Sequence, residues 1–338
     1  MTVEYHGDLN EVQDDPVLAP LLDAPHAAAP FDRLAWWRGL AEECQVNPLL
    51  AVAYEGDDVA ILPLRQEDGA LHELANWYSF RVAPIVSTGA DAIALLSTIA
   101  RDIGERTGRI VLTKVAEHDA AALAEAFRAA GWFATMTPCD VNHVLRVNGR
   151  SYAEYLEGRP GQVRTTLKRK AKKVEVRLFD TFDEAAWDAY EAIYAQSWKP
   201  EEGSPAFLRR FAREEGQAGR LRFALALAEG QPVAAQFWTV EAGTAFIHKL
   251  AHVEEAKPLS PGTTLSAALF ERVIDRDKVS LVDFGTGNDG YKRDWMEEVR
   301  TRYRIELLRP LRPGNWVRIS KTWAKAGLRR LAVAAGRG

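Results

Sequence analysis

Two stretches in the second half of the chain hold residue types suited to proton, phosphate or acyl chemistry. The run DFGTGNDGYKRDW, Asp283 to Trp295, offers a carboxylate at the end of an apolar strand, a glycine-rich turn, and a Tyr-Lys pair entering the next helix. Upstream, FIHKLAHVEEAKPLSPGTTL offers His248 and then a Ser-Pro-Gly turn that opens a helix with two hydroxyls.

Asp283-Phe284-Gly285 read as a magnesium site would need a catalytic HRDxxxxN loop and a VAIK strand, and neither is present. Gly285, Gly287 and Gly290 fall where the apolar strand VSLVDF must turn into a helix, and glycine permits the positive φ that such turns use. A plain turn accounts for the glycines but not for Asp283, Tyr291 or Lys292, because charged groups in such a place need partners or a task. At the other stretch, the unpaired N–H groups and the macrodipole of a helix start attract anions. Ser260, Gly262, Thr263 and Thr264 are therefore candidate phosphate ligands, although an ordinary capped helix would read the same. Strand alternation predicts Phe246, His248, Leu250 and His252 on one face and Lys249 on the other. His248 is then either a packed core histidine or a base.

These residues need a scaffold, and 338 residues with 47% hydrophobic content suffice for two globular units. From about residue 30 the pattern reads as a helix, three short strands separated by GDD and EDG turns, then helix, strand, helix, strand. After a basic segment the second half repeats this order, with a boundary near residue 150. The fold expected is α/β with a mixed sheet: units 1–149 and 150–312, each an antiparallel meander turning parallel, and a basic tail, 313–338. A net charge of -4 and a pI near 6.0 speak against a nucleic-acid binder. Cys44 and Cys139 lack metal or disulfide spacing and read as two buried thiols, and no metal is expected. An acidic N-terminus without an apolar h-region, and no apolar run near 20 residues, predict a cytoplasmic protein.

The combination of FIHKLAHVEEAKPLSPGTTL with DFGTGNDGYKRDW resembles the GNAT-fold acyltransferases of the FemAB-like and cellulose-biosynthesis-acetyltransferase type. In these an hKla…SPG…L segment precedes a DFG.G…YK..W segment, and the likeness covers roughly residues 150–310. The resemblance implies two tandem GNAT-like domains, acyl-CoA as co-substrate, and a primary amine as acceptor. It also implies that the helix after Ser260-Pro261-Gly262 receives the donor's pyrophosphate. The usual Q/R-x-x-G-x-G/A loop is not intact, since SPGTTL keeps only Gly262. On this reading His248 is the base, and Tyr291 the proton donor or oxyanion contact. Asp283 orients His248 or holds the amine, and Lys292 contacts the oxyanion or a phosphate.

For the acceptor, Trp77, Tyr78 and Arg81, with Trp198, are expected to line a cleft for an amphiphile. The segment RPGQVRTTLKRKAKKVEVR, with eight basic residues, is assigned to a phosphate-bearing substrate or a membrane surface. In the tail, Trp316, Ile319, Trp323 and Leu331 gather opposite Arg318, Lys321, Lys325 and Arg329, the composition of a peripheral helix on an anionic membrane. Similarity to bacterial ceramide synthases points to a sphingoid base as the acceptor. The alternatives are an amino sugar of an exported polysaccharide and a non-catalytic membrane scaffold.

Overall fold

The computed structural model describes residues 1–322 and 324. The first half contains β1 (Thr2–His6), α1 (Leu9–Asp14), α2 (Leu18–Leu21), α3 (Leu34–Cys44), β2 (Pro48–Glu55), β3 (Asp58–Glu67), β4 (Ala70–Glu73), β5 (Ile85–Val86), α4 (Ala92–Arg106), β6 (Arg109–Ala116), α5 (Glu117–Ala129) and β7 (Phe133–Arg146). The second half contains α6 (Tyr152–Glu157), α7 (Gly161–Lys170), β8 (Glu175–Phe179), α8 (Glu184–Ala195), α9 (Pro205–Gln217), β9 (Leu221–Ala228), β10 (Gln231–Glu241), β11 (Thr244–His252), α10 (Pro261–Glu271), β12 (Leu281–Thr286), α11 (Gly290–Trp295) and β13 (Glu298–Leu308). Local chemistry sets many of these limits. Asp91, Asp183 and Ser204 cap α4, α8 and α9 through their side chains, and Ser151 with Glu154 forms a capping box on α6.

Among the described residues all thirteen strands belong to one mixed sheet, in the order β1-β2-β3-β4-β6-β13-β7-β12-β11-β10-β9-β8, with β5 beside β3. Each half is an antiparallel meander that turns parallel after a helical crossover, at β4 against β6 and at β11 against β12, as the repeat predicts. The join between halves is less expected. β13 runs antiparallel between β6 and β7, so a strand from the end of the second half completes the sheet of the first.

One face of the sheet carries a single core built from both halves. Trp36, Trp37 and Leu40 of α3 meet Trp187 of α8 and Phe207 and Phe211 of α9 over Val52, Ile61, Phe223 and Phe237. Gly39 permits this approach, since a Cβ there would stand 2.8 Å from the Phe207 ring. The other face holds two separate cores, one under α4 and α5 and one under α10 with Tyr155 of α6. Cys139 is exposed on β7 and Cys44 is half-buried, so the expectation of two buried thiols is not met. In the tail, 316–322 is helical, but Ile319 is buried while Trp316 and Val317 are exposed, so Trp316 and Ile319 do not share one environment. Trp323, Lys325, Arg329 and Leu331 lie outside the described residues.

Buried charge locks the halves together. Arg33, just before α3, lies 2.9 Å from Glu215 of α9 and 3.3 Å from Glu241 of β10, all three nearly inaccessible. Removing one member of such a cluster strands the others in low dielectric. Arg33→Met should lower unfolding free energy by about 3–5 kcal/mol, read from urea denaturation, and an unchanged midpoint would refute the lock.

Candidate active site

The site begins where two strands part. β11 and β12 are paired in parallel for only three residues, Thr244–Phe246 against Leu281–Asp283. Beyond them β12 turns toward β7 through Gly285 (φ +68°) and Gly287 (φ +95°), while β11 continues to His252. A Cβ on Gly285 would stand 3.2 Å from the Phe80 ring, so the first half fills part of the opening and glycine is required there.

A β-bulge sets which side chains face it. Phe237 pairs with Lys249 and Trp238 with Ile247, leaving His248 as the extra residue. This corrects the alternation expected from sequence. Phe246, His248 and Lys249 share the face of the joint core, whereas Leu250 and His252 face α10. His248 sits among the rings of Phe31, Phe80, Phe211 and Phe237 at 5.0–6.0 Å, with Nε2 2.8 Å from Thr239 Oγ1. Burial, with Arg33 and Lys249 nearby, pushes its imidazole down to about 3. At neutral pH this ring is uncharged and a poor proton acceptor.

On the α10 face a cavity of about 290 Å³ gathers Ser260, Gly262 and Thr263 with Leu250, His252, Trp198 and Tyr291. Ser260 is left-handed (φ 54°) and does not cap α10; its hydroxyl instead accepts a hydrogen bond of 3.1 Å from Lys170 of α7. The basic segment thus delivers an ammonium to a helix start, and Lys257 adds another cation to the wall. Gly262 is held by close packing, since a Cβ would meet Leu250 at 3.3 Å, and its carbonyl accepts from Gln236 at 3.0 Å. Thr264 is buried, with its hydroxyl turned to the Ser260 carbonyl rather than to the cavity. His252 was not singled out from the sequence as a base. Its Nδ1 lies 3.0 Å from the Val253 carbonyl, which can only accept, so Nδ1 carries the hydrogen and Nε2 is left as an acceptor. Its ring packs on Trp198 at 4.4 Å. Tyr291 is 39% exposed and packs on Phe284; partial burial and then the Asp289 carboxylate push its phenol up to about 12.

Asp283 and Lys292 do other work. Asp283 accepts hydrogen bonds of 2.7 Å from Asn142 and from the Gly285 N–H, not from His248. Lys292 is buried and folds back onto the Thr286 carbonyl, 3.9 Å from Asp289, so it stitches the turn. The expected acceptor residues disperse. Trp198 lines the α10 cavity, Trp77 is 60% exposed and covers Gly203, Tyr78 is buried, and Arg81 lies 3.6 Å from Asp32 at a different cavity. Tyr78 leads to Glu202, a hub that no sequence motif announces. Tyr78 and Tyr190 donate to Glu202 at 2.6 and 3.3 Å, and Lys249 at 2.8 Å. Beside it a cavity of about 410 Å³ is walled by Tyr190, Tyr194, Pro200, Pro205 and Leu208, where burial and the nearby Lys249 push the Lys199 amine down to about 8.

Residues 161–293 match the family described as an acetyltransferase (GNAT) domain, which covers α7 through the start of α11. No curated protein is detectably similar in sequence. Among solved structures the chain is similar to FemX, at 9% identity over 90% of this chain and 97% of that one, with a TM-score of 0.63. It is also similar to a tandem GNAT protein from the clavulanic acid biosynthesis pathway (14%, 90% and 98%, 0.52). A third likeness is to the C-terminal domain of a putative lysylphosphatidylglycerol synthetase from Agrobacterium fabrum (11%, 80% and 86%, 0.54). Residues 161–293 thus match a GNAT domain, and the whole chain adopts a fold similar to that of solved structures that include a tandem GNAT protein.

The aromatic nest of His248 has a thermodynamic signature. The unfolded chain protonates this imidazole near its ordinary 6.5, the folded one only near 3, so the unfolded state binds more protons between these values. Stability should fall as pH drops through that window. His248→Gln should flatten the fall relative to wild type in urea midpoints between pH 6.5 and 4.5, and parallel curves would refute the nest.

Proposed function

We propose that this protein transfers an acyl group from acyl-CoA to a primary amine, with the α10 cavity as the donor site. The observation that carries this reading is the start of α10. Its first N–H groups, at Gly262 and Thr263, the Ser260 hydroxyl that accepts from Lys170, and Lys257 meet at a cavity that also holds His252, Tyr291 and Asp294. Ammonium groups and free helix N–H groups are the donors a pyrophosphate requires, so the residues present fit acyl-CoA. Bound there, it supplies the acyl group as a thioester.

The chain's residues then divide the labour. His252 Nε2 takes the proton released as the amine nitrogen bonds to the acyl carbon; the acyl carbon–sulfur bond breaks, and the departing thiolate takes up that proton and leaves as free coenzyme A. Tyr291 keeps its proton at neutral pH and holds it more tightly than a thiol, whose ordinary pKa is near 8.5, so it acts as a hydrogen-bond donor to the developing charge. His248, Asp283 and Lys292, the first candidates for catalysis, act by holding β11 and the turn after β12 in place.

A fatty acyl group and a long-chain amino lipid, such as a sphingoid base, form the substrate pair this reading favours. The cavity walled by Tyr190, Tyr194 and Leu208 offers apolar area, and its Lys199 follows Trp198 of the donor cavity in sequence. Leu311, Trp316 and Val317 are exposed beside Arg312, Arg318 and Lys321, a combination suited to an anionic lipid surface. The similar synthetase from Agrobacterium is itself named for a phospholipid. None of the helices in the described residues is long and apolar enough to cross a membrane.

Thiol release from acyl-CoA, followed with sphinganine or glucosamine as acceptor, tests the proposal. Sphinganine should be preferred; equal or greater use of glucosamine would shift the acceptor to sugars. His252→Gln should cut kcat about 100-fold with donor KM little changed. Lys170→Ala should raise donor KM about tenfold with kcat retained. Full activity in both variants would overturn the assignment.

A further inference from the structure

A cavity of about 610 Å³ between the halves lies on the joint-core face of the sheet and shares no residue with the α10 cavity. Its polar wall comes from Arg81, from Arg146 of β7, from Arg300 and Arg302 of β13, and from Glu117, His118, Asp283 and Glu298; Phe246, Leu281, Ala28 and Ala29 supply apolar wall. The acids there do not meet every arginine directly. Glu298 is shared between Arg146 (3.0 Å) and Arg300 (2.8 Å). Arg81 faces Asp32 at 3.6 Å, beyond hydrogen-bond length, and its Nε has no hydrogen-bond partner. Burial raises the Asp32 carboxyl to about 6, against the pull of Arg81.

Arg302 is the sharpest case. It is only 6% exposed, and its Nη2 donates to the Asn142 amide oxygen at 2.8 Å. Its Nε has no partner, and among the described residues it forms no ion pair. Asp283 acts on it across Asn142, whose Nδ2 donates to that carboxylate, and Asp119 acts on it without an ion-pair contact. A buried guanidinium without a contacting anion is costly, and its planar fork of N–H donors suits carboxylate or phosphate.

We infer that this cavity is a binding site for an oxyanion, phosphate or carboxylate, carried on a small organic molecule and held by Arg81 and Arg302. The apolar residues on the other wall would meet the organic body. Because Arg81 belongs to the first half and Arg302 to the last strand, the ligand would bridge the two. The inference does not depend on the acyl-transfer reading.

The test is isothermal titration of the full chain with pyrophosphate and, separately, malonate, in the presence of saturating coenzyme A to fill the α10 cavity. At least one probe should bind, and the stronger one tells phosphate from carboxylate. Arg81→Gln should weaken that binding at least tenfold, Arg302→Lys likewise, and Lys170→Ala should leave it unchanged. Arg81 lies at the side of the cavity, so its variant decides the matter even where the Arg302 variant fails to fold. Absence of binding by both probes, or binding unaltered in Arg81→Gln, would overturn the site. Failure of coenzyme A to bind would instead count against the donor assignment, while the response to Arg81→Gln still reads this cavity.

Discussion

The arrangement depends on how briefly β11 and β12 stay together. Three paired residues join them, and then β12 is drawn toward β7, to which Leu281, Val282, Asp283 and Thr286 are registered. The draw is enforced by a buried polar relay, Arg302 to Asn142 to Asp283 to the Gly285 N–H, that fixes where the strand must turn. Parallel strands held together further would pair their backbones and close the opening; parting leaves room for side chains from a third element. Phe80 enters on the joint-core face, and α10 closes the other face with its N-terminus beside His252.

Buried charge is used in two distinct ways. At Arg33, Glu215 and Glu241, opposite charges are in contact and serve cohesion between the halves. Near the cavities the balance is incomplete. Lys199 is pushed toward neutrality by its surroundings, and Arg302 is met only through an amide. Since desolvation of an ion must be offset by partners, such imbalances mark where a ligand group would lower the free energy.

Signals of local origin were legible in the sequence. The order of strands and helices, the glycine-driven turn after Asp283, and the helix start at Ser260-Pro261-Gly262 each rest on neighbouring residues, so composition and spacing reveal them. Placements that depend on distant partners were hidden. Nothing near β13 signals that it lies between β6 and β7, because that pairing joins residues nearly 200 positions apart in sequence. A single inserted residue at the β11 bulge moved His248 and His252 to opposite faces, and period-two alternation cannot foresee it. Lys292 and Asp283 were rightly noticed as charges in need of partners, but their partners are backbone groups and Asn142, so they support the site without forming its walls. The aromatic run at Trp77 looked like one surface, yet its backbone turns disperse Trp77, Tyr78 and Arg81 to different surroundings.

The central claim is that the opening between β11 and β12, closed by the start of α10, receives the phosphate-bearing acyl donor. Amide hydrogen exchange with and without coenzyme A tests it most directly, because free N–H groups at a helix start become hydrogen-bonded when an anion is seated there. The account predicts slowed exchange at Gly262 and Thr263, with little change at the parallel junction of β4 and β6 in the first half. Coenzyme A binding that leaves the α10 amides unchanged and slows exchange at that other junction would contradict it.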